Sequence, residues 1–290
     1  MELPDFSTPL WFAALTGLFF LVITGRYFLV AGLFYLFFYR WFPELWKKRK
    51  LNQKSYKKGQ LRREINWSLI TSVIFAVSGA ATVVLWQRGY TKVYNSLPQY
   101  GWWYLPVSLF IFMLLHETYY YWLHRWMHLP TIFKVVHKVH HDSNITSPFT
   151  AFSFHPLEGL IQAIFMPLVL MVLPMHYYII VIQLILMTFS SVINHLDIEI
   201  YPASFLKYPG KWFIGATHHS LHHRQFKYNY GLYFTFWDVI KKTESPLFNQ
   251  FFSTATNKME VLPTTNLTSL KTEPLDNVSE IISSDRHLKH

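Results

Sequence analysis

Three groups of histidine stand close together in this chain: His124 with His128, His137 with His140 and His141, and His219 with His222 and His223. Thirteen of the fifteen histidines fall between His116 and His223. At this histidine frequency chance supplies roughly 0.04 His-x-x-His-His strings per chain, yet two are present. Neutral imidazole is the commonest protein ligand for first-row metals, so the clustering predicts a metal site. His124 and His128, four apart in a helix-like segment, would emerge on one face as two ligands to one ion. Each His-x-x-His-His string adds an i, i+3 pair plus a ring turned by about 100° around a helix, which suits two ions better than one. His195 is a ninth candidate. Eight or nine nitrogens exceed the four ligands of a single zinc, so two metals with open positions are expected, their identity left open by the ligand type. The isolated His176, His287 and His290 read as ordinary core or surface residues.

The segments that must position these rings are apolar. Of 290 residues, 51% are hydrophobic and 19% aromatic. Leu10 to Phe38 carries only Arg26 as a charge, and Ile65 to Trp86 carries none. Trp102 to Leu123 leads into His124, and Leu157 to Asn194, with only Glu158 charged, reads as a hairpin turning at Pro174 to His176. These lengths fit membrane spans. The first run follows Glu2 and Asp5 rather than a basic stretch and reads as a retained span, not a signal peptide. Arg26 within it implies snorkelling, a break into two segments, or tilt. The expected fold is all-α: a polytopic membrane bundle of about four to five transmembrane helices under a histidine-rich cap that holds two metals.

Lys47, Lys48, Arg49, Lys50, Lys54, Lys57, Lys58, Arg62 and Arg63 crowd one loop of a chain with net charge +10. That loop is expected to be cytoplasmic, with anionic lipid rather than nucleic acid as its partner. Parity of the spans then delivers every histidine cluster to the cytoplasmic face. The expected organisation is an N-terminal span and basic loop over 1–64, a catalytic membrane domain over 65–254, and a disordered polar tail over 255–290. Zero cysteines exclude disulfides, thiolate metal sites and iron-sulfur clusters within the chain.

The order His124-Arg-Trp-Met-His128, His137-Lys-Val-His140-His141, His219-Ser-Leu-His222-His223 resembles the fatty acid hydroxylase and sterol desaturase superfamily of membrane di-iron enzymes. Tyr121-Trp122-x-His124-Arg125, Ser147-Pro148-Phe149, Phe154-His155-Pro156-Leu157-Glu158-Gly159, Asn194-His195 and Tyr228-Asn229-Tyr230-Gly231 with Trp237-Asp238 are similar to its sterol C5-desaturase branch. The resemblance covers roughly residues 100 to 240. It implies a cytosol-facing pair of non-haem irons, with zinc an alternative occupant of isolated protein, that activates O2 and removes hydrogen from a lipid C–H bond to give either an alcohol by hydroxylation or an alkene by desaturation. It also implies, residue by residue, the ligands His124, His128, His137, His140, His141, His219, His222 and His223, with His195 added. The substrate would be a bilayer lipid, foremost a sterol or other isoprenoid, with a fatty-acyl, sphingolipid or carotenoid substrate as the competitor. The membrane would be bacterial inner membrane or endoplasmic reticulum.

Two departures from the family pattern stand out. His116-Glu117 occupies the place where many relatives carry an acid, and His218 precedes the third cluster as a rival to His219. His155 is an equal candidate for ligand and for orienting residue. Glu158, Asp197, Glu199 and Asp238 are the carboxylates available to fix histidine tautomers, and Asn229 could order the third cluster. No glycine-rich dinucleotide fingerprint is present, so electrons are expected from a separate donor of cytochrome b5, ferredoxin or reductase type. A metal carrier would spread histidines through the spans. A zinc hydrolase would need a motif such as His-Glu-x-x-His, which is absent. Haem ligation by two histidines would leave most of the clustered rings without a role.

Overall fold

Five long helices carry the chain back and forth in the computed structural model, which describes residues 3–207 and 209–256. They are α1 (Pro9–Tyr35), α2 (Gln60–Gln87), α3 (Tyr104–Met127), α4 (Pro156–Val172) and α5 (Tyr177–Asn194). Three shorter helices follow: α6 (Ala216–Gln225), α7 (Phe236–Lys241) and α8 (Phe248–Thr256). Two-residue strands, β1 (Val93–Tyr94) and β2 (Met175–His176), pair in parallel. The architecture is that of an all-α membrane protein.

Sequence chemistry sets the helix ends. Pro9 and Pro156 each occupy a first turn, where a missing N–H is harmless and the fixed φ is already helical. His155 and His176 cap α4 and α5 by accepting the backbone N–H two residues on, at 3.3 and 3.2 Å. Thus His155 is a capping residue at the edge of the bundle, and His176 does the same work at the opposite end. The first apolar run forms one continuous helix through Arg26, continuing past Tyr35 as a π-helical turn to Trp41.

Three helical stretches are individually long and apolar enough to cross a bilayer: Pro9–Trp41, Gln60–Gln87 and Tyr177–Asn194. The expected four to five spans therefore resolve into these three plus two partners of different character. Helix α4 is apolar but only 17 residues long, and α3 buries His116, Glu117 and His124 among its aromatics. On α2 the buried face repeats Ser68, Ser72, Ala76 and Ala80 at intervals of four. Small residues there let neighbouring helices approach closely, which supplies the dispersion contacts that hold membrane bundles together.

Hydrogen bonds sort the bundle's two ends. At one end Gln87 donates to Pro4 O and accepts from Phe6 N, and Met175 N donates to Lys92 O, so the N-terminus, the end of α2 and the α4–α5 turn lie together. At the other end the basic loop meets the segment after α5: Lys50 pairs with Ile198, and Arg49 donates to Ile200 O and Tyr201 O at 3.2 and 2.7 Å. The histidine clusters occupy this second end. The predicted tail from residue 255 starts differently: Ala255 and Thr256 complete α8, and the remainder, with His287 and His290, lies outside the described residues.

Candidate metal centre

The last turn of α3 presents His124, and His128 caps that helix. A short loop leads to a π-helical turn over Phe133–His137, wound wider than an α-helix, and a single α-helical turn over Lys138–His141 that carries His140 and His141. His195 caps α5. Helix α6 is buried from Ala216 through His223, with no polar face turned to water, because its imidazoles point into the protein. Glu199 holds its start, accepting from Thr217 N and Oγ1 at 3.1 and 2.6 Å.

These elements gather nine imidazoles into two sets. His124, His128, His137, His141 and His222 form one, and His140, His195, His219 and His223 the other; within each, one ring nitrogen per residue lies within 4.8 Å of all the rest. The close approaches are between Nε2 atoms: His124 to His137 at 3.1 Å, His128 and His141 each to His222 at 3.1 Å, His195 to His140 at 3.2 Å and to His219 at 2.9 Å, and His219 to His223 at 3.2 Å.

The opposite ring nitrogens explain what those approaches require. Nδ1 of His124, His140, His195 and His222 faces the carbonyl oxygens of Tyr230, Ser153, Ser191 and Tyr228 at 2.9, 3.3, 2.7 and 2.7 Å. A carbonyl only accepts, so each Nδ1 carries the proton and each Nε2 a lone pair. His137 Nδ1 likewise donates to Glu158 Oε1 at 2.9 Å. The His124–His137 and His140–His195 approaches therefore set lone pair against lone pair with no proton between them. A cation between the rings converts that repulsion into ligation, and nitrogen-only sets of four and five donors suit a first-row metal.

Burial keeps the rings neutral. It holds the pKa of His137, His140, His141, His219, His222 and His223 well below 6.5, and the neighbouring imidazoles push in the same direction. Burial also lowers His128 to about 2 and His195 to about 4. Neutral imidazole is the form a metal binds.

The remaining candidates lie outside both sets. His116 bonds Tyr233 Oη through Nδ1 at 2.9 Å and stacks on Phe165. Glu117 accepts the N–H groups of Leu232, Tyr233 and Phe234 and so clamps the loop after α6. His218 stacks on Phe248 with ring centres 3.8 Å apart, pointing away from His219. Asp197 accepts from Asn52 and Ser220, which ties the basic loop to α6; burial raises its pKa to about 7. Asp238 accepts from Tyr230 N and Gly231 N, both at 3.0 Å, and Asn229 bonds His218 O and Ser245 N. Of the predicted carboxylates, Glu158 alone touches a clustered imidazole. Asp142 pairs with Lys138 at the surface.

Sequence reading missed Glu64. It is fully buried and accepts from Gln60, Ser143 and Ser147 at 2.7, 2.6 and 2.6 Å, anchoring the loop after His141 to α2. Its signal was weak: a carboxylate after Arg62 and Arg63 looks like one more solvated charge.

A cavity of about 900 Å³ runs between α1, α2, α3, α4 and α5. Its walls are mainly hydrocarbon, including Phe75, Phe112, Phe165 and Leu184, and it reaches His195 and His219 at one end and Val93 and Tyr94 at the other. The volume is at the upper end of small-molecule sites.

Residues 109–243 match the family model described as fatty acid hydroxylase. Human lathosterol oxidase is 31% identical over 195 residues, covering 66% of this chain and 63% of the relative. The Delta(7)-sterol 5(6)-desaturase of Eremothecium gossypii is 33% identical over 66% of this chain and 53% of its own length. For Delta(7)-sterol 5(6)-desaturase ERG3 of Saccharomyces cerevisiae the identity is 30%, over 66% and 51%. The matched segment thus spans less than two thirds of each of these relatives. No solved structure matches.

Proposed function

We propose that this chain, whose residues 109–243 carry the fatty acid hydroxylase family pattern, is a membrane oxidoreductase that desaturates a lipid at an unactivated C–H position. The observation that carries the proposal is the opening of a hydrocarbon-lined cavity onto His195 and His219 of the four-histidine donor set, with the five-histidine set packed beside it through the His141–His223 contact. His124, His128, His137, His141 and His222 hold one iron; His140, His195, His219 and His223 hold the second. Bound there, the iron pair supplies O2 activation and hydrogen removal from the C–H bond, using electrons from outside.

The chain's own residues do the rest. Carbonyls of Tyr230, Ser153, Ser191 and Tyr228 and the Glu158 carboxylate keep protons on Nδ1 and lone pairs on Nε2. Phe152, Phe154 and Leu232 line the histidine end of the cavity and exclude water from the hydrocarbon to be oxidised. The relatives' names point to a sterol or similar isoprenoid as substrate. Electrons arrive from a separate donor of cytochrome b5, ferredoxin or reductase type. The histidine end faces the cytoplasm, because the loop holding Lys47 to Arg63 lies at that end and positive charge stays inside.

Metal analysis of detergent-purified protein tests this, with the same preparation assayed for O2-dependent oxidation of a mixed sterol and acyl-lipid extract. The expected result is about two irons per chain and a new double bond in a sterol. A new hydroxyl in an acyl chain would move the substrate assignment; no O2 chemistry after ferrous reconstitution would overturn the proposal.

A further inference from the structure

The cavity wall contains one formal charge among the described residues, Arg26. Phe19, Val22, Ile23 and Arg26 line the cavity together from α1, and their i, i+3, i+4, i+7 spacing is a single helical stripe. The arginine therefore belongs to the stripe that borders the cavity, where it is half-buried. Snorkelling is at its longest here: Arg26 lies 15 residues before Trp41 and 17 after Pro9, the middle of one continuous helical stretch, which puts its backbone roughly 15 Å from either boundary of a hydrocarbon core about 30 Å thick.

Nothing in the wall answers that charge. Nε of Arg26 is buried without a hydrogen-bond partner, and no carboxylate pairs with the guanidinium among the described residues. The nearby wall hydroxyls bond backbone carbonyls: Ser78 Oγ donates to Ala163 O at 2.9 Å, Thr82 Oγ1 to Ser78 O at 2.7 Å, and Ser191 Oγ to Ala151 O at 3.0 Å. Gln162 donates its amide to Glu158. A guanidinium does not shed its proton in proteins, so the charge needs a counter-ion, and none of the described residues supplies one.

We propose that the cavity takes a lipid bearing an acidic group, a carboxylate or sulfate, and that Arg26 binds this oxyanion through its planar fork of donors. This deepens the lipid oxidoreductase reading and rests on it. The neighbouring Tyr27 donates to Phe149 O at 2.9 Å and stacks on Phe152, which lines the cavity with His195. The acidic head thus binds at the Arg26 stripe, and the hydrocarbon fills the rest of the cavity, which reaches His195 and His219. A neutral alcohol in the same place would satisfy a donor and leave the charge uncompensated.

Equilibrium binding to the purified full chain in neutral detergent tests this with two matched pairs, cholesterol sulfate against cholesterol and oleate against oleyl alcohol. The wild type should bind the anion of at least one pair about tenfold tighter than its alcohol, and the pair that shows the preference identifies ring or acyl hydrocarbon. Arg26→Gln should erase the preference while keeping affinity for the alcohol, and Arg26→Lys should retain part of it. Equal affinities in both pairs for the wild type would overturn the proposal even if Arg26→Gln does not fold, as would a preference that survives in Arg26→Gln. Binding requires no turnover, so its failure is separable from that of the oxidoreductase reading: anion binding through Arg26 without O2 chemistry sinks only the latter, and oxidation of a neutral sterol by Arg26→Gln at the wild-type rate sinks only the former.

Discussion

His222 and His140 belong to different donor sets, and that separation is testable one residue at a time. Alanine at His222 should strip metal from the five-histidine set, and alanine at His140 from the four-histidine set. Each should lose about one ion per chain and all turnover while the protein still inserts; metal counting by mass spectrometry checks this, and full metal content in either variant would refute the ligand assignment. Glu158→Gln keeps the shape but removes the carboxylate that fixes the His137 tautomer. A loss of about 10- to 100-fold in metal affinity is expected, read by chelator competition. The clustered histidines were legible in the sequence because their spacing alone is improbable. Their tautomers were not, since carbonyls of Tyr230, Ser153, Ser191 and Tyr228 set the protons and a backbone oxygen leaves no mark on residue type. His116 and His218 show the converse: both sit beside the family strings, yet stacking on Phe165 and Phe248 turns them away from the donor sets.

Short elements of the cap do the aiming. Asn229 adopts a left-handed conformation (φ 59°), and the next residue turns its carbonyl to His124 while its N–H meets Asp238. Gly231 follows with no space for a side chain: a Cβ there would lie 2.5 Å from Phe234 O and 2.8 Å from Glu117 Oε1. Gly231→Ala should therefore push the Tyr230 carbonyl off His124 and cost about 1–3 kcal/mol of stability, seen as a lower Tm and weaker metal retention. An unchanged Tm and metal content would mean that the loop yields freely. Alternation of apolar spans and polar connectors made the long helices legible. The π-helical turn before His137 and the burial of α6 on all sides were not, because both depend on what packs around them.

At the scale of the molecule, burying so many neutral imidazoles makes metal-free stability depend on pH. An unfolded histidine titrates near 6.5, whereas burial lowers folded His195 to about 4 and holds His219 and the other clustered rings well below 6.5. Below pH 6.5 the unfolded chain binds protons that the folded chain refuses, so stability falls as pH falls from 6.5 through 4. Thermal unfolding of the metal-free protein in detergent should show Tm dropping across that window; a flat profile would contradict the burial of neutral rings. The sequence by itself determined the all-α membrane class, the clustered histidines and the basic loop, since apolar run length, histidine spacing and charge asymmetry are one-dimensional properties read directly along the chain. Tertiary structure alone decided how nine rings divide into five and four, which carboxylate touches a clustered histidine, and that Arg26 borders a cavity between the helices. Those outcomes depend on which faces of distant helices meet, and the free energy of that meeting is summed over residues scattered from α1 to α6.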